Sequence, residues 1–137
     1  MNILLVEDNP ADVFLVREAL KQMNENTLNV VTDGQEALSF VRQEGAYANA
    51  ARPDLIFLDL NLPKKDGCAV LADIKGDSRL QQIPIVIFTS SASVHDISKA
   101  YALSANSYIV KPINLDDFLR KVQDVVKFWA MTASLPS

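Results

Sequence analysis

Leu55-Ile56-Phe57-Leu58-Asp59 is an unbroken apolar run that ends in an acid, and it decides the fold class of this chain. Comparable runs lie at residues 3–6, 85–88 and 108–110, with a weaker one at 28–31. Strands with one solvated face alternate apolar and polar residues, whereas continuous runs rich in Ile and Val are typical of parallel strands covered on both faces. The runs therefore predict a buried parallel sheet with one strand for each run.

Segments with helical spacing fill the gaps between these runs. In the first gap, Val13, Val16 and Leu20 recur at the period of a helix face. Similar spacing occurs in the later gaps, at residues 37–41, 70–74, 94–101 and 115–126. Strands that alternate with helices form α/β layers with right-handed crossovers. The sequence thus predicts one α/β domain with a doubly wound sheet, while spacing alone leaves the strand order open.

Composition excludes several classes of protein. The chain has 137 residues, a net charge of −4 and a single cysteine, which fits one domain without an intramolecular disulfide or a thiolate metal cluster. An acidic chain without a Lys/Arg stripe is poorly suited to nucleic acid. The first apolar run ends in Glu7-Asp8, and no run approaches the ~20 residues of a membrane span. We expect a cytoplasmic protein that binds neither nucleic acid nor membrane.

Polar residues directly follow the predicted strands, at the edge where ligands bind in open parallel sheets. They are Glu7 and Asp8, Asp59, Thr89, and Lys111. Each one alone is also explained as a cap of the following helix. Three carboxylates at one edge would repel one another unless a cation is bound there. Because the donors are oxygens, the pattern favours Mg2+.

Lys111 and Thr89 add a positive charge and a hydroxyl donor to the same edge. Both groups suit the oxygens of a phosphoryl group, whose negative charge must be held during transfer. If two acids bind the metal, the third is available as a nucleophile. The pattern predicts a phosphoryl-transfer site with a carboxylate acceptor.

Together these motifs resemble those of the receiver domains of two-component response regulators, over nearly the whole chain. The family's acidic pair matches Glu7-Asp8, its phosphoacceptor matches Asp59, its hydroxyl residue matches Thr89, and its Lys-Pro matches Lys111-Pro112. The resemblance implies a flavodoxin-like (βα)5 sandwich with strand order 2-1-3-4-5. It also implies Mg2+ held by Asp8, Asp59 and the backbone carbonyl of Asn61, and by Glu7 either directly or through a water molecule.

The resemblance further implies a function: a phosphoryl group passes from a sensor histidine kinase to Asp59. The chain would promote its own phosphorylation and dephosphorylation rather than act as a separate enzyme. Thr89 and Tyr108 would form the switch that responds. In the family the side chain at the position of Ser91 faces the phosphoryl group, and the bond before the proline that matches Pro112 is cis.

Narrower motifs resemble the receivers that partner cyanobacterial phytochrome kinases. They are Val-Glu-Asp-Asn-Pro-Ala-Asp at 6–12, Ala-Asn-Ser-Tyr-Ile-Val-Lys-Pro at 105–112, and the aromatic pair Phe128-Trp129. We therefore expect a phytochrome-type kinase as partner. We also expect a receiver domain over residues 1–127 and, at 128–137, an extension of the last helix that acts as an interface. Phe128 and Trp129 would support a symmetric homodimer through the fourth helix, fifth strand and fifth helix.

Two other functions are compatible with parts of this pattern. A haloacid-dehalogenase-like phosphatase also uses an aspartyl nucleophile and Mg2+, but its Asp-x-Asp follows the first strand, whereas Asp59-Leu60-Asn61 follows the third. A flavodoxin-like scaffold that is not phosphorylated would need no cluster of acids. Binding of Mg2+ separates this last alternative from the receiver.

Overall fold

Five parallel strands form one sheet in the computed structural model, which describes residues 1–132 and 134–135. Along the chain they are β1 (Asn2–Val6), β2 (Thr27–Val31), β3 (Leu55–Leu58), β4 (Ile85–Thr89) and β5 (Ser107–Val110). Their order in the sheet is β2-β1-β3-β4-β5, and every neighbouring pair is parallel. This confirms the predicted α/β class and the flavodoxin-like strand order.

Five α-helices connect and follow the strands. They are α1 (Pro10–Lys21), α2 (Gly34–Val41), α3 (Gly67–Lys75), α4 (Val94–Ala102) and α5 (Leu115–Lys127). Each begins after a residue whose side-chain oxygen accepts hydrogen bonds from the first turn, which stabilises the free amides there; these caps are Asn9, Asp33, Asp66, Ser93 and Asn114. None of the described helices is long and apolar enough to cross a bilayer.

The helices cover both faces of the sheet, as the apolar runs predict. On one face, α1 and α5 pack over a core that includes Leu55 and Phe57. On the other face, α2, α3 and α4 pack over a core that includes Ile56 and Leu58. Successive residues of β3 point to opposite faces, and all four are buried. This double burial explains why β3 shows no polar alternation.

Two glycines allow the loop after β3 to pack closely. A Cβ on Gly67 would lie 2.2 Å from the carbonyl oxygen of Asp59, and a Cβ on Gly34 would lie 2.0 Å from that of Lys65. Neither position has room for a side chain. The absence of a side chain at Gly34 and Gly67 therefore allows this close packing of the loop between β3 and α3.

The last helix changes character at its end. After Lys127, α5 continues into a π-helical turn over Phe128–Thr132. Trp129 packs against the core beneath α1 and α5, whereas Phe128 is 49% exposed. The two rings meet edge to face, with centroids 5.2 Å apart. The expected extension over 128–137 includes Ala133, Pro136 and Ser137, which lie outside the described residues, and its role as an interface stays a prediction.

Candidate functional site

Three carboxylates meet at the carboxyl edge of the sheet. Glu7 and Asp8 follow β1, and Asp59 follows the adjacent β3. Each offers an oxygen, and these oxygens all lie within 4.8 Å of one another. Glu7 and Asp59 are buried, whereas Asp8 is exposed. Oxygen donors at this spacing fit a hard divalent cation that keeps part of its water shell.

Lys111 places one positive charge among these acids. Its Nζ lies 2.5 Å from Glu7 Oε1, 3.1 Å from Asp59 Oδ2 and 2.8 Å from Asp12 Oδ2. The side chain of Lys111 is 9% exposed, so the contacts are partly shielded from water. An ammonium has three protons, and three carboxylates accept them. Lys111 thus provides a positive counter-charge to these carboxylates.

The peptide bond between Lys111 and Pro112 is trans, since no cis bond occurs among the described residues. The expectation of a cis bond was wrong. Lys111 is directed by the sheet: its amide donates to the carbonyl of Thr89 at 2.7 Å, which extends the pairing of β5 with β4. The lysine reaches the acids with a trans bond.

The electrostatics of the site separate two of the acids. Burial raises the pKa of Glu7 to about 7, although the hydrogen bond from Lys111 opposes this shift. Burial alone would also raise the pKa of Asp59, yet that pKa lies below its ordinary value because the charge of Lys111 and hydrogen bonds from neighbouring side chains together outweigh burial. Burial opposes ionisation of Lys111, but hydrogen bonds to Asp12 and Glu7 raise its pKa above the ordinary value. Asp59 is therefore ionised at neutral pH and able to act as a nucleophile.

Thr89 contributes an uncommitted hydroxyl. It ends β4, next to the strand that carries Asp59, and it is fully buried. Its Oγ1 has no hydrogen-bond partner among the residues that the structure describes. Leaving a buried hydroxyl unpaired costs about 1–3 kcal/mol. Such an atom at a sheet edge is suited to a ligand that brings an acceptor.

The loop after Thr89 is held by other contacts. Ser91 Oγ donates to Asp96 Oδ2 at 2.6 Å, and the Tyr108 hydroxyl donates to the backbone carbonyl of Ser91 at 2.9 Å. A serine hydroxyl has one proton, so in this arrangement it is committed to the carboxylate of Asp96. An orientation of the Ser91 side chain towards a phosphoryl group stays a prediction.

Tyr108 lies half-buried against the core beneath α4. Its hydroxyl contacts the β4–α4 loop, and its amide donates to the hydroxyl of Tyr101 at 3.1 Å. Tyr108 therefore links β5, the loop after Thr89 and α4. The role of Thr89 and Tyr108 as a switch stays a prediction.

Asn61 is positioned by the acceptor side chain itself. Its amide donates to Asp59 Oδ1 at 3.3 Å, which folds the chain back over the carboxylate. The Gly67 amide donates to the carbonyl of Leu60 at 2.9 Å and closes the loop from the other side. Asn61 is thus next to the acids, as expected, with its side chain exposed.

The structure brings together Glu7, Asp8, Asp59 and Lys111 as expected. It adds Asp12, which is not among the site residues predicted from the sequence. Asp12 lies in the first turn of α1 and points its carboxylate at Lys111. The available signal was its position four residues after Asp8, at the start of the helix that follows the acidic pair.

Comparisons with known proteins agree with this geometry. Residues 3–123 match the family described as response regulator receiver domain. The response regulator Rcp1 of Synechocystis sp. is 46% identical over 136 residues, which cover 98% of this chain and 92% of Rcp1.

Two solved structures are similar over almost the whole chain. The phosphorylated cyanobacterial phytochrome response regulator RcpA has a TM-score of 0.96 and 50% identity, covering 99% of this chain and 98% of RcpA. The Mn2+-bound form of Rcp1 has a TM-score of 0.94 and 46% identity, covering 99% of both chains. A divalent cation is thus bound in one relative, and another is phosphorylated.

Proposed function

Because the chain belongs to the response regulator receiver family, we propose that it accepts a phosphoryl group on Asp59 from a sensor histidine kinase and uses Mg2+ to do so. The observation that carries the proposal is the cluster of Glu7, Asp8 and Asp59, together with the ammonium of Lys111, which contacts Glu7 and Asp59. The cluster combines a nucleophile, a cation site and a counter-charge. A scaffold with no phosphoryl chemistry has no need of this arrangement.

The residues fit the proposed cation. Glu7, Asp8 and Asp59 would hold it together with the backbone carbonyl of Asn61, and all of these donors are oxygens. When bound, Mg2+ supplies positive charge that offsets the acids and the incoming phosphoryl oxygens. Among the residues that the structure describes, Lys111 is the cationic side chain that contacts Glu7 and Asp59.

The side chains then have separate tasks. An ionised oxygen of Asp59 attacks phosphorus, a P–O bond forms, and the P–N bond of a donor phosphohistidine breaks. The released imidazole takes up a proton. Lys111 moves from the carboxylates to a phosphoryl oxygen. The Thr89 hydroxyl, which has no partner among the described residues, donates a hydrogen bond to another phosphoryl oxygen. Later attack by water on phosphorus would return Asp59 to its free form.

The partner kinase is proposed from the relatives. RcpA is described as a phytochrome response regulator, and this chain is 50% identical to it. We infer that a phytochrome-type histidine kinase is the donor. Because such a kinase takes its phosphoryl group from ATP, we propose that the phosphotransfer occurs in the cytoplasm.

A homodimer is proposed as the form that passes the signal on. Phe128 and Met131 are exposed after the end of α5, and aromatic residues and methionine are enriched in the cores of protein–protein interfaces. The proposed pairing surface comprises α4, β5 and α5, extended by residues 128–137.

Phosphotransfer tests the function directly. The kinase is first phosphorylated with labelled ATP, separated from ATP, and mixed with wild type or with Asp59→Asn. Label should move to the wild type within minutes in Mg2+, and Asp59→Asn should take up none. Equal labelling of Asp59→Asn would contradict the assignment of the acceptor.

The same experiment compares donors. A phytochrome-type kinase should transfer faster than a sensor kinase of another class at equal concentration. Equal rates of phosphotransfer from both kinases would still support Asp59 as the acceptor but would contradict the proposal of a phytochrome-type partner.

A further inference from the structure

Asp12 forms a third ion pair with Lys111. Its Oδ2 lies 2.8 Å from Nζ, and its side chain is 20% exposed. The other two partners, Glu7 and Asp59, are the acids of the proposed cation site. Asp12 comes from a different element, the first turn of α1. One lysine is therefore shared between the site and a helix beside it.

Asp12 differs from the other two carboxylates in what a cation would do to it. The acids that are close enough to share an ion are Glu7, Asp8 and Asp59, and Asp12 is not one of them. A cation bound there offsets the charge of Glu7 and Asp59 and weakens their hold on the lysine. The charge of Asp12 is not offset by ligation. Asp12 then becomes the strongest remaining competitor for Lys111.

The donors of Lys111 are fully used in the structure. Three carboxylates accept from an ammonium that has three protons. A phosphoryl oxygen can receive a hydrogen bond from the lysine only if one of the carboxylates gives it up. Competition between Asp12 and the phosphoryl group for hydrogen bonds from Lys111 thus affects the stability of the phosphorylated state.

We propose that Asp12 is a positioning residue that retains Lys111 on α1 and competes with the phosphoryl oxygens for it. This inference rests on the proposed phosphoacceptor function. It predicts that loss of the Asp12 charge stabilises the phosphorylated state. Asp12 itself touches neither the phosphoryl group nor the cation.

Beryllofluoride, a mimic of the phosphoryl group, gives a binding test that needs no kinase. Its affinity for the Mg2+-loaded protein is measured by calorimetry for wild type, Asp12→Asn and Glu44→Gln. Glu44 is an exposed acid that precedes the short 3-10 helix Gly45–Tyr47, and its side chain makes no capping hydrogen bond. It serves as the control because its loss changes net charge equally and lies away from Lys111 and from the proposed pairing surface. Asp12→Asn should bind beryllofluoride roughly three- to tenfold more tightly, the range for removing one competing hydrogen-bonded pair. Glu44→Gln should stay close to wild type.

A double-mutant cycle shows whether the effect passes through the lysine. In a Lys111→Met background, Asp12→Asn should leave the affinity for beryllofluoride unchanged. The half-life of the phosphoryl group on Asp59, measured after loading with acetyl phosphate, should lengthen by a similar factor in Asp12→Asn alone.

Three results overturn the inference: an unchanged or weaker affinity in Asp12→Asn, an equal gain in Glu44→Gln, or an equal gain in the Lys111→Met background. If Lys111→Met does not fold, the comparison of Asp12→Asn with Glu44→Gln decides by itself. Failure of the proposed function looks different, because wild type would then bind no beryllofluoride and take up no phosphoryl group.

Discussion

Lys111 Nζ lies 3.1 Å from Asp59 Oδ2, although 52 residues separate the two along the chain. The contact spans the end of β4, which lies between β3 and β5 in the sheet. It places a permanent positive charge on the proposed acceptor before any phosphoryl group arrives. Removal of the lysine must therefore affect the resting protein as well as the phosphorylated one.

The variant Lys111→Ala should bind Mg2+ with unchanged or higher affinity, because the lysine competes with the cation for the same oxygens. Without Mg2+, the free energy of unfolding should fall by about 3 kcal/mol, since buried carboxylates are left without their counter-charge. Added Mg2+ should restore part of that loss. Calorimetry and urea denaturation, each with and without Mg2+, provide the measurements. Markedly weaker Mg2+ binding in a folded Lys111→Ala protein would refute the counter-charge role.

Gly67→Ala should displace the backbone of Asp59, the proposed acceptor. The new methyl would lie 2.2 Å from the carbonyl oxygen of Asp59, so the backbone must move. We expect a loss of stability of about 1–3 kcal/mol and slower phosphorylation by acetyl phosphate. Gly45→Ala is the matched control, since Gly45 has a φ of +58° but nothing within 4 Å of its added Cβ. The control should lose only about 1 kcal/mol through backbone strain and keep its phosphorylation rate. Equal phosphorylation rates in Gly67→Ala and Gly45→Ala would contradict a specific effect of the Gly67 position on Asp59.

Most of the site could be predicted from the sequence because parallel strands bring their carboxyl ends to one edge. Glu7, Asp59 and Lys111 each follow an apolar run, so their convergence needs only the alternation of strands and helices. The strand order came from family resemblance, since spacing does not determine which strands are neighbours.

The contacts made by helices were not predictable in the same way. Asp12 meets Lys111 because α1 packs through Val16, Ala19 and Leu20, and this packing sets the rotation of its first turn. The sequence shows which face of α1 is apolar but not which residue across the sheet edge its first turn meets. Ser91 and Ser93 both lie between β4 and α4, and the structure shows that Ser93 caps the helix whereas Ser91 donates to Asp96.

The homodimer should depend on Phe128. Sedimentation of wild type at tens of micromolar is predicted to show a dimer, which becomes more abundant with Mg2+ and beryllofluoride. Phe128→Ala should weaken it in both states, and the double variant Phe128→Ala/Trp129→Ala should weaken it at least as much. Because Trp129 also packs against the core, the double variant needs a check of its unfolding temperature.

Phe14→Ala is the control for the dimer experiment. Phe14 is a 59% exposed aromatic residue of α1, outside the proposed pairing surface. It should sediment like wild type. A wild type that stays monomeric in both states, or a double variant that pairs equally well, would show that the tail is not the interface.

Alkylation of Cys68 should be slow at neutral pH. Burial raises the pKa of the Cys68 thiol above its ordinary value, so the reactive thiolate forms only at more alkaline pH in the folded protein. In urea the pKa returns to its ordinary value. The rate with iodoacetamide should therefore rise at lower pH in the unfolded than in the folded chain. Coincident pH profiles for the two states would contradict the shift.

Intact-mass analysis after incubation with acetyl phosphate tests the central claim most directly. Wild type with Mg2+ should gain the mass of one phosphoryl group, and the gain should vanish in EDTA and in Asp59→Asn. Asp54→Asn is a suitable control, because Asp54 precedes β3 at the opposite edge of the sheet, where its carboxylate binds the amide of Asn2; this variant should be phosphorylated like wild type. Phosphorylation of Asp59→Asn, or undiminished phosphorylation of wild type in EDTA, would contradict the account.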